Sequence, residues 1–334
     1  MRPDNKTVLV AGGAGYVGSH TCKALKQKGY EPVVLDNLST GHRWAVKWGP
    51  LVLGDLGHAQ DIHSVLDTYR PIAVFHFAAH AYVGESVQHP DKYYRNNVVA
   101  TLNLIDAMIE RDLHTFVFSS SCATYGIPKR LPITERTPQN PVNPYGRTKL
   151  MVEQMLSDYD RAYGLKSACL RYFNAAGADV DGEVGECHDP ETHLIPRVLN
   201  VAAGGAPHFD IYGNDYDTPD GTCVRDFVHV GALAEAHCLA LDYLLQNKRS
   251  LQVNLGSEKG FSVNEVVSLA ESISGTSIPT RVKARREGDP AMLVADSKKA
   301  QDVLGWHADV ADIRGCIASA WKWMQNKPRN PAQA

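Results

Sequence analysis

The stretch Thr7-Val8-Leu9-Val10-Ala11-Gly12-Gly13-Ala14-Gly15-Tyr16-Val17-Gly18 decides the fold. A short apolar run enters a G-x-x-G-x-x-G turn, and the residues behind the turn take up a helical period. This strand, turn and helix open a βαβ unit. Glycines let the backbone approach a pyrophosphate, and the helix N-terminus supplies free N–H groups with partial positive charge. A glycine-rich turn also occurs as plain structure, so the context has to carry the reading. Asp36 closes the second predicted strand 18 residues after Gly18. A carboxylate there accepts hydrogen bonds from both hydroxyls of an adenine ribose and repels a 2′-phosphate. NAD is therefore expected over NADP, although Arg43 and Lys47 lie nearby.

Working outward, short apolar runs alternate with helical segments through the first 170 residues or so, the pattern of a parallel sheet covered by helices. Strands are predicted at Thr7–Ala11, Pro32–Leu35, Leu51–Leu53, Ala73–Phe77, Thr115–Ser119 and Ser167–Arg171, with helices at Tyr16–Lys28, Asp61–Tyr69, Tyr93–Ile109 and Tyr145–Tyr163. Beyond residue 174 Gly and Pro clusters break the alternation. The fold class expected is α/β, a Rossmann-type doubly wound parallel sheet with a smaller, interleaved C-terminal α/β substrate lobe. Residues 1–174 form the NAD-binding domain, the strand Val224–Val230 and helix Ala232–Leu245 return to it within 224–250, and 175–223 with 251–330 form the substrate lobe. The tail Lys327–Ala334 is expected to fray.

At 334 residues the chain is long enough for a full core, and 44% apolar with 21% charged residues is ordinary globular composition. A formal charge of −3 gives no global attraction for nucleic acid or anionic lipid, so neither partner is expected and any phosphate must be held locally. Seven scattered cysteines without a C-x-x-C pair fit reduced thiols in the cytoplasm. No run approaches 18 apolar residues, and the first six residues lack a signal-peptide core.

Tyr145-Gly146-Arg147-Thr148-Lys149 sets a phenol and an ammonium four residues apart, on one helix face. Bringing a phenol from about 10 to about 7 needs roughly 4 kcal/mol of preferential phenolate stabilisation. An ammonium plus the positive nicotinamide of NAD⁺ supplies that order of magnitude. A Tyr and a Lys on a surface helix are the bland alternative. Against it, Ser119-Ser120-Ser121 follows the fifth predicted strand, at the carboxyl edge of the sheet where ligands bind. Ser121 is the candidate partner of a substrate hydroxyl.

The dinucleotide turn, Asp36, Ser121 and the Tyr145–Lys149 pair resemble the extended short-chain dehydrogenase/reductase superfamily. His76-Phe77-Ala78-Ala79, Val83-Gly84-Glu85-Ser86, Tyr94-Arg95-Asn96-Asn97, Asn143-Pro144-Tyr145-Gly146, Arg171-Tyr172-Phe173-Asn174, Gly221 to Asp226 and Arg285 to Asp289 resemble the UDP-glucose 4-epimerases, in particular their bacterial exopolysaccharide-type branch. The likeness runs from about residue 7 to 325.

The resemblance implies an isomerase that oxidises C4 of a UDP-sugar transiently with tightly bound NAD, interconverting UDP-glucose and UDP-galactose. It implies Tyr145, Lys149 and Ser121 as catalytic residues. Residues Gly12, Gly15, Tyr16, Val17, Gly18, Asp36, Asn37, Asp55, Leu56, Phe77, Ala78, Asn96 and Lys149 would line the NAD site, with Asp55 at the adenine amine. Ser121, Tyr145, Asn174, His193, Leu194, Tyr212, Arg225, Arg286, Asp289 and Leu293 would hold the UDP-sugar. Guanidinium forks suit a diphosphate, although by residue type alone Arg225 and Arg286 read as surface ion-pair residues.

Three positions depart from the family pattern. His80-Ala81-Tyr82 stands where many members carry a Lys near the NAD pyrophosphate, and His193 stands where Asn is frequent. Leu293, at the position that gates the sugar pocket, is intermediate between the bulky Tyr of strict hexose enzymes and a small residue. UDP-N-acetylhexosamines are thus alternative substrates, and so are UDP-xylose and UDP-arabinose, because Ala81-Tyr82 also resembles the pentose-using branch. A 4,6-dehydratase would need an Asp-Glu pair where this chain has Cys122-Ala123. A noncatalytic NAD(H) sensor is the alternative of another class, and the Tyr145–Lys149 pair argues against it. The resemblance also implies a homodimer through the helices at 93–109 and 145–163. Cys187, His188, Asp189, Glu191 and His193 match no zinc spacing, and no metal is expected.

Overall fold

A computed structural model describes residues 5–286, 288–308 and 312–326. The expected fraying of the tail at 327–334 lies outside the described residues. Its strands are β1 Thr7–Ala11, β2 Glu31–Asp36, β3 Leu51–Leu53, β4 Ala73–His76, β5 Thr115–Ser121, β6 Lys166–Tyr172, β7 Asn174–Ala176, β8 Phe209–Tyr212, β9 Val224–His229, β10 Leu251–Leu255, β11 Gly260–Ser262, β12 Thr280–Lys283 and β13 Met292–Leu293. The helices are α1 Tyr16–Gln27, α2 Ala59–Tyr69, α3 Val83–Gln88, α4 Pro90–Tyr93, α5 Ala100–Ile109, α6 Pro144–Tyr163, α7 Leu194–Ala202, α8 Val230–Asn247, α9 Val263–Ser274, α10 Lys298–Leu304 and α11 Ile313–Asn326.

Among the described residues a seven-stranded sheet runs in the order β10-β6-β5-β4-β1-β2-β3, every neighbouring pair parallel. Both faces are covered, as a parallel sheet requires. Within β1 the two-residue period sends Val8 and Val10 into one core with α1 and α8, and Leu9 and Ala11 into the other with α2, α5 and α6. The chain order reverses between β1 and β4, and this switch point opens a crevice at the carboxyl ends of the strands. The glycine turn after β1 sits there.

The seven predicted strands and five predicted helices all form, with ends shifted by a few residues. The helix expected at 93–109 is interrupted. A π-helical segment, Tyr94–Val99, lies between α4 and α5, and such segments re-aim side chains at functional sites.

The second layer differs from the expected division. β9 belongs to a smaller sheet with β7, β11 and β13. The return to the large sheet is made by α8, against α1, and by β10. The strand expected at 224–230 therefore lies in the lobe, and the first residues assigned beyond 250 complete the large sheet. Parallel pairing of β10 with β6 needs a crossover, and α8 is that crossover. The lobe has its own core of Ile195, Val198, Leu199, Phe227, Val266 and Ile317.

Candidate active site

Gly12 has φ +80°, and a Cβ there would lie 2.4 Å from the Ala78 amide nitrogen; a Cβ on Gly18 would lie 2.3 Å from the Gly12 carbonyl oxygen. Only glycine lets β1, β4 and α1 close so tightly. Gly15 is different: a Cβ there would meet its nearest neighbour, the Gly12 carbonyl oxygen, at 3.4 Å, an ordinary van der Waals contact. Gly15 is also the N-cap of α1, which has no side-chain cap. Uncapped first-turn N–H groups above a glycine floor are a diphosphate cradle, and the residues present fit NAD.

Around that cradle, Asp36 is buried and accepts from the Leu38 amide at 2.8 Å and the Ala14 amide at 3.0 Å. Burial raises its pKa in spite of those bonds. Asp55 accepts from Asn37 Nδ2 at 2.8 Å and from the Gly57 amide, and the Asn37 bond leads in lowering its pKa. These two carboxylates stand at the ends of β2 and after β3, with Leu56 beside the second. Phe77 and Ala78 follow β4, and the Phe77 ring is tilted 40° to that of His237 with ring centres 4.7 Å apart. Asn96 lies in the π segment and donates to Asn97 Oδ1 at 2.9 Å. Tyr16 turns its hydroxyl to the Gly177 carbonyl at 2.6 Å, tying α1 to the loop after β7.

Asn143 caps α6 by accepting the Gly146 amide at 2.8 Å, and Pro144 starts the helix. A Cβ on Gly146 would lie 2.5 Å from the Ala123 carbonyl oxygen. The glycine between Tyr145 and Lys149 thus lets α6 rest directly on the turn after β5, which brings the Tyr145 phenol near the Ser121 hydroxyl. Lys149 is 4% exposed and donates to the Ser119 carbonyl oxygen at 2.8 Å. Its ammonium stands 5.8 Å from the Tyr145 ring centre.

Burial pushes the Lys149 ammonium down to about 7, the Glu153 carboxylate offsetting part of the shift. Burial likewise raises the Tyr145 phenol, and the nearby Ser121 hydroxyl only partly counters it. The protein's own charges therefore leave the phenol protonated, and a positive group beside it is what would acidify it. Burial also pushes the Cys122 thiol up to about 12, which leaves it unreactive.

On the lobe side, Asn174 Nδ2 donates to the Asp226 carbonyl at 2.8 Å. Arg225 pairs with Asp289, the Arg286 guanidinium lies 4.1 Å over the Tyr212 ring, and Leu293 is opposite Arg225 in the β13–β9 pairing. The Arg225 charge also acts on Cys122, the neighbour of the Tyr145 phenol. His193 is the N-cap of α7 with Leu194 its first residue, and the His193 side chain remains 43% exposed. Glu186 and Glu191 face both His188 and His193. Burial alone would lower these imidazoles, but the carboxylates outweigh it and hold them at about 9 and about 10.

Several supporting residues escaped the sequence reading. Glu153, one turn beyond Lys149, binds Arg171 at 2.6 Å and accepts from Ser120 Oγ at 2.5 Å. Tyr172 bonds Ser119 Oγ at 2.6 Å. Asn97 accepts the His80 amide and donates to the His80 carbonyl and Thr148 Oγ1, latching the 78–82 loop to α6. The i+4 spacing from Lys149 to Glu153 was the one local signal for the first of these.

The NAD dependent epimerase/dehydratase family matches residues 8–256. A UDP-glucose 4-epimerase of Rhizobium leguminosarum bv. trifolii is 51% identical over 318 residues, 95% of this chain and 97% of its own. Among solved structures, a UDP-glucose 4-epimerase from Brucella ovis in complex with NAD is 54% identical, with a TM-score of 0.93 over 95% of this chain and 98% of its own. One from Bifidobacterium longum in complex with NAD⁺ and UDP is 39% identical, with a TM-score of 0.92 over 96% of this chain and 99% of its own. With the glycine cradle, Asp36 and the Tyr145–Lys149 pair in place, the chain belongs to the NAD dependent epimerase/dehydratase family, among its UDP-glucose 4-epimerases.

Proposed function

We propose that the protein interconverts UDP-glucose and UDP-galactose by transient oxidation at the sugar C4. The observation that carries this reading is the Tyr145 phenol near Ser121 with a buried Lys149 beside its ring, held on the Ser119 carbonyl at the carboxyl end of β5. NAD, when bound, supplies the hydride acceptor and a positive ring that acidifies the phenol. Gly12, Gly15, Tyr16, Val17 and Gly18 hold its diphosphate, Asp36 its adenine ribose, Asn37, Asp55 and Leu56 its adenine side. Phe77, Ala78, Asn96 and Lys149 hold its remaining length.

Tyr145 takes the proton of the sugar 4-hydroxyl, with Ser121 in the same hydrogen-bond chain, and returns it after the ring has turned its other face. Arg225 and Arg286 grip the UDP diphosphate. Asn174, His193, Leu194, Tyr212, Asp289 and Leu293 line the rest of the substrate site. An anchored nucleotide and a loosely held sugar permit the rotation that inverts C4. The catalytic cycle returns NAD unchanged, so purified protein should interconvert the two UDP-sugars without added reductant. Tyr145→Phe should lower turnover roughly 10²–10⁴-fold while bound NAD is retained. Near-normal activity of that variant would remove Tyr145 as the base.

The described residues contain no helix long and apolar enough to cross a membrane. A cytoplasmic location is part of the proposal, supported by seven cysteines of which none is disulfide-bonded among the described residues. So is a homodimer through the helices at 93–109 and 144–163, which expose Val99 and Met151 at 51% and 40%. Sedimentation of a monomer at micromolar concentration would end that part. The proposed division has a cofactor-binding unit on the large sheet and a UDP-sugar lobe around the smaller one.

A further inference from the structure

The loop from β7 to α7 carries two acidic clusters, and the fold treats them differently. Asp179, Asp181 and Glu183 surround one ammonium, Lys23 Nζ, at 2.8, 2.6 and 2.8 Å. That cluster has a built-in cation. Glu186 and Glu191 have none: among the described residues neither pairs with a lysine or an arginine, and both face imidazoles instead. His193 Nδ1 lies 2.8 Å from Glu186 Oε1 and 3.0 Å from Glu191 Oε1. His188 Nδ1 lies 3.2 Å from Glu186 Oε1 and 3.4 Å from Glu191 Oε2.

Two features set this tetrad apart from an ordinary ion-pair cluster. Tetrahedral zinc bonds of about 2.0–2.2 Å place neighbouring ligand atoms about 3.3–3.6 Å apart, and the four separations of 2.8, 3.0, 3.2 and 3.4 Å reach that range only at their upper end, so the ligand atoms would move apart by a few tenths of an ångström around an ion. Second, His188 Nδ1 is buried yet makes no hydrogen bond, being aimed between the two carboxylates instead of at either one. A nitrogen shared between two oxygens in this way addresses a common centre. The Glu186 side chain, 8% exposed, supplies a desolvated charge that such a centre would neutralise.

We propose that Glu186, His188, Glu191 and His193 bind one Zn²⁺. One divalent cation neutralises both carboxylates and takes the imidazoles as neutral ligands. Mixed imidazole and carboxylate donors in a four-fold set suit zinc over magnesium or calcium. The consequence is mechanical. His188 and Cys187 border the cleft at Gly15 and Tyr16, the His188 ring stands edge-on to Tyr16 and Tyr82, and Trp323 Nε1 donates to the Glu186 carbonyl at 3.0 Å. The ion would staple this loop as one wall of the diphosphate cradle.

The test begins with elemental analysis of the full-length protein as purified with its cofactor, where one zinc per chain is expected. After chelation, titration with ZnCl₂ alone should restore one equivalent and raise Tm. Glu186→Gln and His188→Gln should each weaken zinc binding at least about tenfold, and Asp181→Asn in the neighbouring cluster should leave it unchanged. X-ray absorption on the wild-type protein, independent of any variant's folding, should show only nitrogen and oxygen neighbours with two imidazoles. Substoichiometric zinc with no Tm response, a sulfur ligand, or undiminished binding in the Glu186→Gln/His188→Gln double variant would each overturn the proposal.

Discussion

Lys149 Nζ donates to the carbonyl oxygen of Ser119 at 2.8 Å, so the ammonium of the helix is anchored on the last turn of the strand it serves. The anchor fixes the distance between α6 and the carboxyl edge of β5, and with it the approach of Tyr145 to Ser121. Burial has already pushed that ammonium down to about 7, so its charge depends on what is placed beside it. Lys149→Met should therefore lower both retained NAD and turnover, whereas Tyr145→Phe should lower turnover alone. Cofactor absorbance and initial rates on the same preparations separate the two effects; a Lys149→Met protein that keeps its full complement of NAD would contradict this role.

Gly146 has no room for a side chain, because a Cβ would sit 2.5 Å from a backbone carbonyl that cannot retreat without moving β5's turn. Gly146→Ala should cost about 1–3 kcal/mol in stability by overpacking. Its effect on rate should be larger, on the order of 10²-fold, because a displacement of about 1 Å between Tyr145 and the reacting hydroxyl is costly. Urea unfolding and steady-state kinetics read the two quantities; unchanged kinetics would show that α6 is not positioned by this contact.

Glu153 and Arg171 form a pair whose side chains are 6% and 7% exposed. Glu153→Ala leaves a buried guanidinium without its carboxylate, with only the Tyr125 hydroxyl as partner, and should cost about 3–5 kcal/mol. The exposed Arg161–Asp158 pair is the comparison, and removing it should change stability by less than about 1 kcal/mol. Similar losses in both variants would mean that the buried pair is solvated in solution.

His20, His76 and His237 are buried, and burial lowers them to about 4, about 3 and about 4. In the unfolded chain they titrate near 6.5. Between those values the unfolded state binds more protons, so their contribution to stability is complete above pH 6.5 and is lost as pH falls through the folded values. Each should contribute a slope of about 1.4 kcal/mol per pH unit in that window. Urea midpoints should fall from pH 6.5 to 5, and His237→Gln should flatten the decline. A midpoint constant across this interval would refute the assignment.

Leu293 lies opposite Arg225 and packs against a small cluster with Tyr125, Phe173 and Ala295. A tyrosine there should narrow the sugar pocket. We expect Leu293→Tyr to reduce any turnover of UDP-N-acetylglucosamine at least tenfold relative to UDP-glucose, since volume exclusion is worth about 1–3 kcal/mol. Equal effects on the two substrates would place Leu293 away from the sugar's C2 substituent.

Local chemistry in this chain was readable from order alone. The glycine turn, the carboxylate closing β2 and the Tyr145–Lys149 spacing each depend on a few consecutive residues whose geometry follows from strand, turn and helix periodicity. The residues that escaped reading depend on remote partners. Glu153, Arg171 and Tyr172 look like surface or core residues until β5, β6 and α6 are laid side by side, because burial and pairing are properties of the packed elements. The π segment at Tyr94–Val99 is set by Asn97 bonding a loop and a neighbouring helix, which no local propensity encodes.

The sequence by itself determined a dinucleotide-binding α/β chain with a phenol and ammonium placed for proton transfer, because those features live within single elements where spacing dictates direction. Tertiary structure alone decided that Gly146 lets α6 reach Ser121, that β10 and not β9 closes the large sheet, and that Glu186, His188, Glu191 and His193 converge. The reason is physical: close approach, strand partnership and the desolvation of charge arise only when distant segments exclude water from one another.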